Sequence, residues 1–147
     1  MKQTGVITLE NGNEIRIEFY PADAPKTVEN FVTLAKKGFY DNLTFHRVVP
    51  DFVVQGGCPK GDGTGGPGHT VKAEFNKQKH VRGSVAMARS QHPDSAGSQF
   101  YICFQPAPFL DGKYTVFGRV ASGMEYVDKI QKGDKMKSVK IIEVLAP

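Results

Sequence analysis

Side chains able to do chemistry gather in two short runs of this 147-residue chain. The first, Phe45-His-Arg-Val-Val-Pro-Asp-Phe-Val-Val-Gln-Gly-Gly57, sets Arg47 among apolar neighbours and follows it with Phe52, Val53 and Gln55. The second is Ser98-Gln-Phe-Tyr-Ile-Cys103. Successive side chains of a strand point to opposite faces, so Gln99 and Tyr101 share one face while Phe100 and Ile102 share the other. Val53 and Gln55 share a face by the same rule. Two amides, an aromatic ring and an aliphatic group beside Arg47 could line a groove suited to an extended peptide. Taken alone, the first run is equally compatible with two core strands and one arginine whose stem snorkels its charge to water.

Other chemistries find less support. The stretch Gly56 to Gly68 is more than half glycine, and Gly61, Gly63 and Gly66 spell GxGxxG after a strand. Pro67-Gly68 follows where a dinucleotide site needs a helix N-terminus, and no GK[ST] is present for a phosphate loop. The stretch reads as a surface loop that needs unusual φ angles. His46, His69, His80 and His92 share no HxxxH or HExxH spacing and join no cysteine pair, so no metal site is expected. Ser98 lacks the second glycine of a nucleophile elbow, and neither cysteine lies in a nucleophile signature.

Composition sets the class. Hydrophobic residues make up 39% of the chain and charged residues 23%, with ten phenylalanines, as in an ordered soluble protein. A chain of this size buries roughly 68 to 70% of its unfolded surface, so one domain spanning 1–147 is expected. The net charge of +4 is spread among interleaved acidic and basic residues, which argues against nucleic acid as a partner. Met1 to Gly12 lacks a long apolar stretch and no run approaches eighteen apolar residues, so neither secretion nor a membrane is expected and the protein is placed in the cytoplasm. Cys58 and Cys103 are too few for a disulfide framework, and free thiols in a reducing compartment fit them better.

The elements that must position these groups are short strands. Val6–Glu10 and Ile15–Phe19 flank Asn11-Gly12, a β-hairpin signal. Further strands are expected over Thr44–Val48, Phe52–Gly56, Ser84–Ala88, Gln99–Phe104, Thr115–Val120 and Val139–Val144. A helix begins at Pro25, carries Val28, Phe31, Val32 and Ala35 on one face and stops at Gly38. A second helix is expected from a capping box of Ser122 with Glu125, with Met124, Val127 and Ile130 as its apolar stripe up to Gly133. Eight strands can close into a barrel filled by its own side chains, with two helices left to plug the ends. The expected fold is therefore mainly β, a closed eight-stranded antiparallel barrel capped by two α-helices.

The two runs, the Gly-Thr-Gly-Gly loop, Gly-Ser-Val-Ala-Met-Ala and Leu-Asp-Gly-Lys-Tyr-Thr-Val-Phe-Gly stand in the order and at the approximate spacing of one family. Over nearly its whole length the chain resembles the cyclophilin-type peptidyl-prolyl cis-trans isomerases, in their small single-domain form. The resemblance implies the same capped eight-stranded barrel. It implies that Arg47 is the catalytic arginine and that Gln55 acts beside it, with Gln99 also positioning the peptide. Phe52, Val53, Tyr101 and Leu110 would line a proline pocket. Ala88, Arg89 and Ser90 would form a backbone ledge, and Gly63, Thr64, Phe109 and Tyr114 would border the groove. Proline-containing peptides and unfolded or partly folded proteins become the expected partners, no cofactor or metal is required, and a monomer is expected.

Four positions depart from the commonest form of that family. Phe109 stands where many members have tryptophan, which predicts weakened binding of cyclosporin. Tyr101 replaces a frequent phenylalanine, so its hydroxyl must reach water or find a partner. Val53 replaces a common methionine. Arg89 stands for asparagine, and if its contacts run through backbone groups its side chain should matter little.

Overall fold

Asn11-Gly12 turns the chain as its composition predicts. Gly12 adopts φ +92°, its N–H donates to Leu9 O, and the Leu9 N–H donates to Asn13 O. Strands β1 (Lys2–Leu9) and β2 (Glu14–Phe19) therefore meet antiparallel, with Ile7 opposite Ile15. The computed structural model describes residues 2–144. After the hairpin come helix α1 (Pro25–Lys36), β3 (Arg47–Val49), β4 (Val53–Gly56), β5 (Ser84–Met87), β6 (Phe100–Cys103), β7 (Val116–Ser122), helix α2 (Met124–Val127) and β8 (Met136–Val144).

The eight strands form one antiparallel sheet in the order β3-β4-β6-β5-β7-β2-β1-β8. The sheet curls but does not close, which corrects the closed barrel expected from strand count. Closure needs the two edge strands to pair, and β3 is only three residues long. The chain ahead of β3 meets the chain ahead of β8 through an isolated bridge, Thr44 to Lys135, with local bonds such as Phe45 N–H to Asp134 O at 2.9 Å. The result is an open half-barrel.

Helix α1 places Pro25 in its first turn, where a missing N–H costs nothing. Its buried face holds Val28, Phe31, Val32 and Ala35, and Gly38 takes φ +76° just beyond its end. No side chain of its own caps it. Glu74 does so from a distant loop: Oε1 accepts from the Thr27 N–H and hydroxyl at 2.7 and 2.8 Å, and Oε2 from the Lys26 N–H at 3.2 Å. Orphan N–H groups of a helix start thereby gain a charged acceptor.

The second helix differs from its sequence signature. Ser122 forms no capping box; it is the last residue of β7 and pairs with Arg16. Gly123, at φ +92°, makes the turn, α2 spans only Met124–Val127, and Ile130 lies beyond it in a turn. Ladder pairing competes for the same residue as the cap, and here the ladder wins.

One face of the sheet and α1 enclose the main core. Phe31 sits at its centre, with the rings of Tyr40, Phe117, Phe100 and Phe19 at 5.0, 5.3, 5.5 and 5.6 Å. Ring pairs at such separations add stabilisation beyond the area they bury. Tyr40 satisfies its hydroxyl by donating to Ser98 O at 2.9 Å. A second, smaller apolar cluster of Val53, Ala86, Tyr101, Cys103 and Val116 lies on the opposite face of the strands. That second face carries the site.

Candidate active site

Residues paired across an antiparallel ladder share a face. The register Arg47↔Gln55↔Tyr101↔Ala86 therefore lays one row of side chains across β3, β4, β6 and β5. Val53↔Cys103 forms the next row on that face. Phe100 and Ile102 turn into the main core, as alternation requires.

A cavity of about 210 Å³ opens over these rows, lined by Arg47, Phe52, Val53, Gln55, Ala88, Arg89, Tyr101, Leu110 and Tyr114. Every one of those residues was singled out in the sequence. A neighbouring cavity of about 340 Å³ shares Gln55, Ala88 and Arg89 with it and takes in Gly63, Thr64, Ser90 and Gln99. The two adjoin as one groove: the first, the apolar half, carries the aromatic and aliphatic side chains beside Arg47 and Arg89, and the second, the polar half, is walled by loop glycines with hydroxyl and amide side chains. Phe109 lines neither; it is 63% exposed and stacks on Phe52 with centroids 5.6 Å apart.

The polar half is a one-way relay. Gln99 Nε2 donates to Gly63 O and Gly65 O, both at 2.9 Å, which fixes its amide orientation. Gln99 Oε1 then accepts from Gln55 Nε2 at 3.0 Å, and Gln55 Oε1 accepts from Arg47 Nη1 at 3.3 Å. The exposed guanidinium is steered by a carbonyl oxygen. Its ultimate anchor is the backbone of the glycine loop, where Gly63 takes φ +90°. Asp62 braces that loop, accepting from the Thr64 hydroxyl at 2.6 Å and its N–H at 2.9 Å. These bonds hold its carboxyl below the usual carboxylate range. Cys58 adds a further tie, since its Sγ accepts from the Gly65 N–H at 3.2 Å. Burial pushes this thiol up, but the surrounding loop N–H groups outweigh it and hold it below the ordinary thiol value.

Behind the apolar half lies a chain of groups that the sequence did not reveal. Asp111 Oδ1 accepts from the His80 N–H at 2.7 Å and contacts His80 Nδ1 at 3.0 Å; His80 Nε2 lies 2.8 Å from the Tyr101 hydroxyl. A carboxylate can only accept, so Nδ1 carries the proton and Nε2 accepts from Tyr101. Burial holds the His80 pKa below its ordinary value despite the carboxylate beside it. Burial likewise pushes the Tyr101 phenol up. The one prior signal was the need of the Tyr101 hydroxyl for a partner.

The ledge also differs in detail from expectation. Ala88 N–H donates to Gln99 O and Ser90 N–H to Ser95 Oγ. Among the described residues, the Arg89 N–H and C=O have no internal partner. The Arg89 side chain, expected to matter little, is heavily engaged. It donates to three carbonyls, of Lys113, Ser90 and Gln91, and its guanidinium lies 4.6 Å from the Tyr114 ring centroid. Among the described residues no three His, Cys, Asp or Glu side chains gather to hold a metal ion.

The geometry has counterparts among known proteins. The family model of cyclophilin type peptidyl-prolyl cis-trans isomerase/CLD matches residues 5–145. Peptidyl-prolyl cis-trans isomerase B of Bacillus subtilis is 52% identical over 141 residues, covering 95% of this chain and 98% of that protein. A peptidyl-prolyl cis-trans isomerase of Helicobacter pylori is 51% identical over 144 residues, covering 95% and 88%. A crystal structure of a cyclophilin type peptidyl-prolyl cis-trans isomerase from Cryptosporidium parvum matches with a TM-score of 0.90 at 28% identity, covering 99% of this chain and all of that one. A structure of the same Cryptosporidium protein in the presence of the dipeptide Ala-Pro gives 0.84, also at 28% identity, with 97% and 99% covered.

Proposed function

The chain belongs to the cyclophilin-type peptidyl-prolyl cis-trans isomerase family, and from that premise we propose that Arg47 and the apolar cavity beside it carry the reaction. The protein is a peptidyl-prolyl cis-trans isomerase. Its task is to lower a rotational barrier of about 18–20 kcal/mol that comes from amide resonance. No covalent bond need break. As the X-Pro bond twists, resonance is lost and a lone pair emerges on the prolyl nitrogen. A guanidinium aimed at that nitrogen favours the twisted state over either planar one, which is the condition for catalysis. Arg47, held by Gln55 at the mouth of the cavity, is the observation that carries this reading.

Phe52, Val53, Tyr101, Leu110 and Tyr114 would hold the proline ring. The Arg89 N–H and C=O, with Ala88 and Ser90 on either side, would hold the peptide backbone, while Gly63, Thr64 and Gln99 border the part of the groove before the proline. Fixing one flank lets the other rotate. Removing about 7 kcal/mol from the barrier gives roughly 10⁵-fold acceleration, within reach of charge complementarity and orientation.

The substrates are proline-containing segments of unfolded or partly folded proteins, recognised by ring and backbone, and the role is assistance to folding. The chain acts as one domain and a monomer. Buried Cys58 and Cys103, both free, suit a reducing cytoplasm. No helix is long and apolar enough to cross a membrane among the described residues. Cyclosporin binds weakly because phenylalanine stands at position 109 where many members of the family have tryptophan; tight binding in calorimetry contradicts this.

The test is exchange of a short Ala-Pro peptide followed by NMR. Wild type accelerates it, and Arg47→Ala, folded by circular dichroism, loses about 100-fold or more of that acceleration. A folded wild type that binds the peptide without accelerating exchange leaves only a peptide-binding module. Full acceleration by Arg47→Ala refutes the role of the arginine.

A further inference from the structure

The proline cavity lies between two chain segments, Ala88 with Arg89 on one side and Leu110 with Tyr114 on the other. The ladder that joins them ends before the cavity begins. Strand β5 stops at Met87, whose N–H makes the next tie, to Thr115 O at 3.0 Å. Beyond it, chain 108–113 bends away through a single 3-10 turn, Pro108–Leu110, and through Gly112 at φ +75°. Past Met87 the width of the cavity is no longer set by strand pairing.

The Arg89 guanidinium spans this gap. Nε and Nη2 both donate to Lys113 O, at 3.1 and 2.7 Å. Nη1 reaches back along its own segment to Ser90 O at 2.9 Å and Gln91 O at 3.2 Å. The plane also lies against the Tyr114 ring. That ring in turn meets Tyr101 edge-on at 5.9 Å and His80 at 6.4 Å. One side chain thus joins both walls and seats an aromatic residue of the cavity. A lysine, with a point charge and no fork, could not serve the three carbonyls and the ring face together.

We propose that the Arg89 side chain is a positioning residue that sets the spacing of the two cavity walls, and so the affinity for proline, without acting on the twisting bond. This rests on the assignment of the cavity to proline. Arg47 faces the reacting nitrogen in that assignment, whereas the Arg89 guanidinium is committed to carbonyls of its own chain.

NMR titration of an Ala-Pro peptide, with lineshape analysis, yields the affinity and the on-enzyme exchange rate separately. In Arg89→Ala and Arg89→Lys, affinity falls about fivefold, on the scale of a cation–π seat with its accompanying bonds. The on-enzyme rate changes less than about twofold. In a Tyr114→Leu background, Arg89→Ala adds less than the product of the single effects, because both act through one wall. Unchanged affinity in Arg89→Ala, or a collapsed on-enzyme rate at wild-type affinity, overturns the proposal, as does full additivity with Tyr114→Leu. A wild type that fails to bind the peptide in this cavity overturns the assignment as well; binding by wild type with equal binding by both Arg89 variants sinks the positioning role alone.

Discussion

Replacing Tyr101 by phenylalanine should cost fold stability while leaving the cavity wall in place. The ring of Tyr101 lines the apolar cavity, but its hydroxyl points behind, to His80 Nε2 at 2.8 Å. His80 is 1% exposed and Tyr101 5%. The Asp111 carboxylate fixes the proton on Nδ1, so without the phenol the Nε2 lone pair is buried with no donor. An unsatisfied buried acceptor costs about 1–3 kcal/mol. For a domain of this size that corresponds to a fall in Tm of roughly 2–12 °C. Thermal melts by circular dichroism at pH 7.5 measure it, and peptide affinity by NMR should move less than about twofold. The cost should vanish in a His80→Leu background, where no acceptor is stranded. A Tyr101→Phe variant that melts at or above the wild-type temperature refutes the reasoning, and so does an equal cost in the His80→Leu background.

Three further outcomes follow from the same geometry. Gly12 and Gly57 share φ +92°, but a Cβ on Gly12 meets nothing within 4 Å whereas one on Gly57 would sit 2.7 Å from Ser98 O. Gly12→Ala should cost about 1 kcal/mol from backbone strain and Gly57→Ala distinctly more; equal values in urea unfolding contradict the clash. Gln55→Glu presents Gln99 Oε1 with a second acceptor and pairs Arg47 with a full negative charge, so peptide exchange at pH 7.5 should slow about tenfold or more. It should recover as acid restores a donor on the carboxyl, and a variant as fast as wild type at pH 7.5 disproves the relay. Burial holds the His80 pKa below the ordinary histidine value, so its contribution to stability is fully present above that ordinary value and is lost as pH falls through the depressed one. Asp111 is depressed below 3.8 by the His80 N–H and acts in the same direction at lower pH. Urea midpoints measured from pH 8 to 4 should be level at first and then decline, and His80→Leu should flatten the upper part of that decline.

The features legible in sequence were those with a short period. Ile15, Ile17 and Phe19 alternate, Val28, Phe31, Val32 and Ala35 recur by helical spacing, and Gln99 and Tyr101 separate from Phe100 and Ile102 because a strand has period two. Closure of the sheet was not legible, because it depends on whether β3 and β8 meet laterally, which no local pattern encodes. Ser122 and Glu125 satisfied a capping pattern, yet Ser122 was claimed by its long-range pairing with Arg16. Glu74 capping α1 from a distant loop, and Asp111 reaching His80, lie far outside any local window. The contacts of the Arg89 side chain were not legible either, because they depend on Lys113 O and the Tyr114 ring, both placed by the bend after β6.

The polarity of the relay explains why a glycine-rich loop stands beside Arg47. A chain of amides can point either way unless one end is fixed. Gly63 O and Gly65 O fix it, since two carbonyls can face only the amino group of Gln99. Every later bond is then determined, and Arg47 meets an oxygen instead of an amino group. Aiming both carbonyls at one side chain requires backbone turns within four residues, and Gly61 and Gly63 at φ +71° and +90° provide them. The loop's composition is thus the far end of the arginine's orientation. The apolar half is built alike, with Asp111 fixing His80 and His80 fixing Tyr101. In both halves a side chain that lines the cavity is held by a partner whose own orientation is settled one step further back, which gives the wall the rigidity that a noncovalent catalyst needs while a peptide bond twists.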